Sequence, residues 1–67
     1  MKGTYSVETR SYDGNGDYAE EQDDFDTPEQ VRAFIKQLEP GWGVHSVLFY
    51  AEGTDSDPKY VTKQFLK

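Results

Sequence analysis

The residues most able to do chemistry in this 67-residue chain are carboxylates crowded into one segment. Residues 13–29, called the acidic segment below, hold eight Asp and Glu side chains and no Lys or Arg. The rest of the chain has five acids and seven bases, so the formal net charge of −6 comes from this segment. Carboxylates at this density attract basic surfaces, and they also keep a strand edge from pairing with other chains.

Two functions are compatible with this charge pattern. In the first, the acidic segment binds the basic surface of a partner protein, including a groove that normally holds nucleic-acid phosphates. The predicted contacts are Asp17, Glu20, Glu21, Asp23, Asp24 and Asp26. In the second, the acids serve only solubility, and the chain binds a partner or itself through apolar surface or a sheet edge. The aromatic anchors of this alternative are Trp42, Tyr50 and Tyr60.

Residues for catalysis or metal binding are sparse. Cys is absent and His45 is the only His, so a structural zinc site cannot be assembled. Residues 13–17 (DGNGD) are similar to the start of an EF-hand calcium loop, but no alignment with that loop supplies both its turn Gly and its key ligands. Calcium or small-ligand binding is therefore the weakest alternative. We expect a protein that is not an enzyme and has no cofactor and no metal site.

Charge and hydropathy restrict the partners further. An acidic chain is a poor ligand for the phosphate backbone, so we expect no direct contact with nucleic acid. No apolar run has the roughly 18 residues of a membrane span, and the first residues lack the apolar core of a signal peptide. Together with the absence of Cys, this pattern predicts a cytoplasmic protein without membrane contact.

The acidic segment needs a strand to display it, and the flanking sequence predicts a hairpin. Residues 4–12 alternate with period two, as in a half-buried strand. Asp13-Gly14-Asn15-Gly16 follows, and Asp-Gly or Asn-Gly between two strands predicts a type I′ turn. A second strand over about residues 17–25 carries mostly charge, so it is predicted to lie at the edge of the sheet.

A helix and two more strands complete the predicted fold. Thr27, Pro28 and Gln30 form a capping box that begins a helix, and apolar residues at helical spacing continue to Leu38. Gly41 is expected to take a left-handed conformation after the helix. Residues 44–51 predict a central strand, residues 53–58 a turn, and residues 59–66 a last strand. The order β-β-α-β-β predicts a single α+β domain over residues 1–67, with one helix on an antiparallel sheet.

With this order assembled, the chain resembles a class of small acidic proteins that phages and mobile elements encode to bind and inhibit host machinery. The resemblance is carried by the helix start at residues 27–31 (TPEQV) and the return to the sheet at residues 40–44 (PGWGV). It implies a non-catalytic inhibitor or modulator that acts by binding. It transfers no site residues.

Overall fold

The computed structural model describes residues 3–53 and 57–66. Its elements are β1 (Gly3–Tyr12), β2 (Tyr18–Phe25), α1 (Pro28–Lys36), β3 (Trp42–Ala51), β4 (Lys59–Tyr60) and a 3-10 helix (Thr62–Gln64). The strands form one antiparallel sheet in the order β2-β1-β3-β4. The predicted α+β fold, with one helix and a four-stranded antiparallel sheet, is confirmed.

Strand β1 organises the sheet because it is hydrogen-bonded on both sides. Val7 of β1 lies opposite Asp23 of β2 and opposite Val47 of β3. Directly opposed residues share a face of the sheet, so β1 fixes which side chains of its neighbours point toward the helix. Val7, Val47 and Val31 of α1 are fully buried and form the core between the helix and the sheet. On the opposite face of the sheet, called the open face below, the described residues place no helix.

The start of α1 follows the predicted capping box. The Thr27 hydroxyl accepts a hydrogen bond from the Gln30 N–H at 3.2 Å, and the Gln30 side chain accepts from the Thr27 N–H at 3.3 Å. The helix ends at Lys36, two residues before Leu38. Gly41 then has a φ of 94°, the left-handed conformation expected of it.

The connection between β1 and β2 reverses the chain as predicted, but its turn is not the predicted type I′. Such a turn needs positive φ at two consecutive residues, whereas here Gly14 and Gly16 have positive φ and Asn15 does not. The Asp13 carboxylate instead accepts a hydrogen bond from the Asn15 N–H at 2.7 Å. The longer loop is closed where the Asp13 N–H donates to the Asp17 carbonyl at 3.2 Å.

The last predicted strand, over residues 59–66, is wrong in extent. Strand β4 has only two residues, because the Thr62 hydroxyl takes the place of a backbone group as hydrogen-bond partner of β3. It accepts from the Val47 N–H at 3.0 Å and lies 3.5 Å from the Val47 carbonyl, to which it donates. The chain then turns into the 3-10 helix and places the Phe65 ring 6.0 Å from the Tyr5 ring. Of the predicted turn at residues 53–58, residues 54–56 lie outside the described residues.

Replacing the Thr62 hydroxyl should therefore destabilise the sheet. Thr62→Val keeps the shape of the side chain but leaves the Val47 N–H without its partner, which should lower the free energy of unfolding by about 1–2 kcal/mol. Urea denaturation followed by Trp42 fluorescence measures this loss. Thr62→Ser, which keeps the hydroxyl, should lose less; an equal loss would assign the effect to the methyl group.

Candidate functional site

The acidic segment lies along the outer edge of the sheet, as predicted. Strand β2 pairs with β1 through eight opposed residue pairs, from Tyr5–Phe25 to Tyr12–Tyr18. On its other side, β2 pairs with no strand within residues 3–53 and 57–66. The hydrogen bonds to β1 hold the backbone of β2 extended, so its carboxylates project at fixed intervals.

The alternation of the strand divides the four acids of β2 between the two faces of the sheet. Glu20 lies opposite Arg10, and Asp24 lies opposite Ser6, on the open face. Both acids are exposed. Glu20 is thus the member of the group that faces a basic residue across the strands.

The other two acids of β2 belong to the face that carries the helix. Glu21 lies opposite Thr9, and Asp23 lies opposite the buried Val7. Glu21 is exposed, and Asp23 is half-buried at the border of the core. A partner that touched one face of the sheet alone would therefore reach only half of these carboxylates.

Asp17 and Asp26 flank the strand, and both side chains are exposed. Asp17 belongs to the turn before β2, and Asp26 lies between β2 and the helix cap, where its N–H donates to Gln30 at 2.9 Å. Residues 17–26 together extend over roughly 30 Å. The structure thus places the six predicted contacts along one edge of the sheet.

These acids keep their charge uncompensated inside the described structure. Arg10 forms an ion pair with Glu8 there at 3.0 Å, and the Nδ1 atom of His45 lies 3.0 Å from the same Glu8 carboxylate; neither contact involves the acidic segment. Arg10 also stacks on the Tyr18 ring, with 4.5 Å from its guanidinium carbon to the ring centre. The pKa of Arg10 is raised above its ordinary value, and the largest cause is a hydrogen bond with the Tyr12 side chain. Arg10 thus contacts Glu8 and Tyr18 and forms no ion pair with Glu20 among the described residues.

The aromatic anchors of the alternative function do not form one surface. Tyr50 and Tyr60 lie on the open face, where they are 42% and 77% exposed. Trp42 is half-buried and lines a cleft with Phe34 and Leu38 on the side of the helix. A flat partner could not contact all three at once.

The contact between Glu8 and His45 could not be predicted from composition. The register of β3 against β1 shifts between Glu8 and Thr9, which leaves His45 as an extra residue and forms a β-bulge. The one available signal was the spacing of Val44 and Val47. Three residues apart, they would lie on opposite faces of a regular strand, yet both pack against the core.

The described residues provide no metal centre. Within residues 3–53 and 57–66, no three His, Asp or Glu side chains are placed to hold a metal ion. The Asp13 carboxylate of the calcium-like loop already accepts a backbone hydrogen bond. In the same part of the chain, no helix has the length and apolar character needed to cross a bilayer.

Comparison with known proteins adds no family to this geometry. No protein-family model, curated protein or solved structure matches the chain. The function must therefore be argued from the arrangement of the charges and edges themselves.

Uncompensated like charges should make the fold sensitive to salt. Raising NaCl from about 0.02 M to about 0.5 M screens the repulsion along β2, so the free energy of unfolding should increase by about 0.5–1 kcal/mol. Urea titrations at several salt concentrations measure this increase.

The double variant Glu21→Gln with Asp23→Asn is the control, because it removes two of the repelling charges. It should show a smaller increase with salt than the unaltered protein. A decrease in stability with salt would contradict the assignment, since it would mean that ion pairs hold these acids.

Proposed function

We propose that this protein binds a basic surface of a partner protein through the acidic edge strand β2 and its flanking acids. The partner surface is one that ordinarily binds nucleic-acid phosphates, and occupying it inhibits or modulates the partner. No chemical step is involved. The residues that carry the contact are Asp17, Glu20, Glu21, Asp23, Asp24 and Asp26.

The observation that carries this proposal is the accessible and uncompensated charge of β2. Three of its four acids are exposed and the fourth is half-buried. None of them has an ion pair among the described residues. Unpaired carboxylates on an edge repel one another in the free protein, and a basic partner relieves this repulsion when it binds.

The spacing of the charges supports a likeness to a nucleic-acid strand. An antiparallel strand rises about 3.4 Å per residue, which matches the axial rise of about 3.4 Å per phosphate along one DNA strand. Residues 17–26 place six carboxylates in ten positions on this rise. A Lys- and Arg-lined groove built for phosphates would therefore meet negative charge at a little over half the density of one DNA strand.

The division of the acids between two faces favours a groove over a flat surface. Glu20 and Asp24 occupy the open face, and Glu21 and Asp23 occupy the opposite one. An edge inserted into a basic groove brings both sets within reach of cations on the two walls. Contact with one wall alone would leave half of the charges in solvent.

The test compares two double charge reversals that change the net charge equally. Glu21→Lys with Asp24→Lys alters the two faces of β2, whereas Glu39→Lys with Glu52→Lys alters exposed acids elsewhere. The immobilised unaltered protein captures proteins from a lysate of the cells that produce it, and the dissociation constant of each captured protein is then measured for both double variants. The β2 variant should bind at least about tenfold more weakly than the control variant.

Two competition experiments, with duplex DNA and with salt, test whether the partner surface is one that binds nucleic acid. The captured proteins should be displaced by duplex DNA and by salt, because both compete for the same cations. Equal weakening by the two double variants would contradict the proposal, since net charge rather than β2 would then control binding. Capture that resists both DNA and salt would also contradict it. Circular dichroism verifies that both variants fold.

A further inference from the structure

The second edge of the sheet differs in chemistry from β2. Strand β4 pairs with β3 only at Leu48 and Phe49. At Val47, the carbonyl accepts a hydrogen bond from the Val61 N–H, and the N–H donates to the Thr62 hydroxyl. No strand within residues 3–53 and 57–66 pairs with the outer side of β3 at residues 42–46, called the unpaired edge below. Backbone groups on such an edge can pair with another strand.

The unpaired edge lacks the feature that protects β2. Residues 42–46 (WGVHS) contain no Asp, Glu, Lys or Arg, whereas half of the eight residues of β2 are acids. Charge on an edge strand discourages pairing, and an uncharged edge permits it. A second chain can therefore add to the sheet at β3 but is repelled at β2.

The size of the exposed surface indicates that the fold has area to bury. The accessible surface is 5164 Å², against about 4,300 Å² for a typical monomer of 7.7 kDa. The radius of gyration of 12.8 Å also exceeds the roughly 11 Å of a compact chain of this length. Small domains without disulfides or metals often gain stability by association, and this chain has no Cys.

We propose that the unpaired edge binds a second copy of this chain, with β3 antiparallel to β3 of that copy across a two-fold axis near Gly43. Trp42 then lies opposite Val44 of the second copy, on the helix side of the joined sheet. Gly43 is exposed and brings no side chain to the axis. The bulge at His45 limits the pairing to the first residues of β3.

The charge distribution allows this dimer despite the net charge of −6 on each chain. In the joined sheet β2-β1-β3-β3-β1-β2, the two acidic strands lie at the outer edges, five strand spacings apart. That distance is about 24 Å, well beyond the Debye length of about 8 Å at physiological salt. Repulsion between the two acidic strands is therefore screened, and both remain accessible to partners.

The test is the mass of the protein in solution as a function of concentration, measured by sedimentation equilibrium. The unaltered chain should shift from 7.7 kDa toward twice that mass as its concentration rises. Emission from Trp42, the single Trp, should shift to shorter wavelength over the same range, because the dimer shields it from water. A chain that stays monomeric up to about 1 mM overturns the proposal and leaves the edge to a different protein.

Matched variants locate the interface. Gly43→Glu places two like charges opposite each other at the axis and should raise the dissociation constant of the dimer at least about tenfold. Within one chain it faces Arg10, so the fold should tolerate it. Gly43→Val should keep the dimer, and Ala33→Glu, on the exposed side of the helix, adds the same charge without effect. Equal dissociation constants for Gly43→Glu and Ala33→Glu would overturn the assignment to this edge.

Discussion

The pairing of β1 with strands on both sides is the interaction on which the rest of this structure depends. It places Val7 between Asp23 and Val47, and so determines which face of β2 and β3 meets the helix. The three valines of the core are buried only because that register is kept. A shift of one residue would turn the apolar side chains of a strand away from the helix and toward solvent.

The same pairing explains why the charge can collect on one edge. A carboxylate in a central strand would need a partner, whereas on β2 water solvates it. The repulsion among the acids costs stability, and a core with three fully buried hydrophobic residues has little to spare. A requirement for solubility alone would be met by charge spread over the whole surface. We propose that the concentrated charge serves recognition of a basic surface.

Much of the fold could be predicted because local signals agreed with tertiary packing. The capping box at Thr27, the reversal after Tyr12 and the edge position of β2 follow from short patterns. The end of β4 could not be predicted, since alternation continues past Thr62 and only the contact of its hydroxyl with Val47 stops the strand. The alternation of a strand already divides the four acids of β2 between two faces, but which pair faces the helix depends on the register with β1 and could not be predicted from the sequence.

The central claim is that basic surfaces engage β2, and an NMR titration tests it most directly. A polyarginine peptide added to the ¹⁵N-labelled protein should shift the backbone amide signals of residues 17–26. Those shifts should disappear at about 0.5 M NaCl, where the Debye length falls to about 4 Å. Shifts centred on residues 42–60 instead, or shifts that persist at high salt, would contradict the claim.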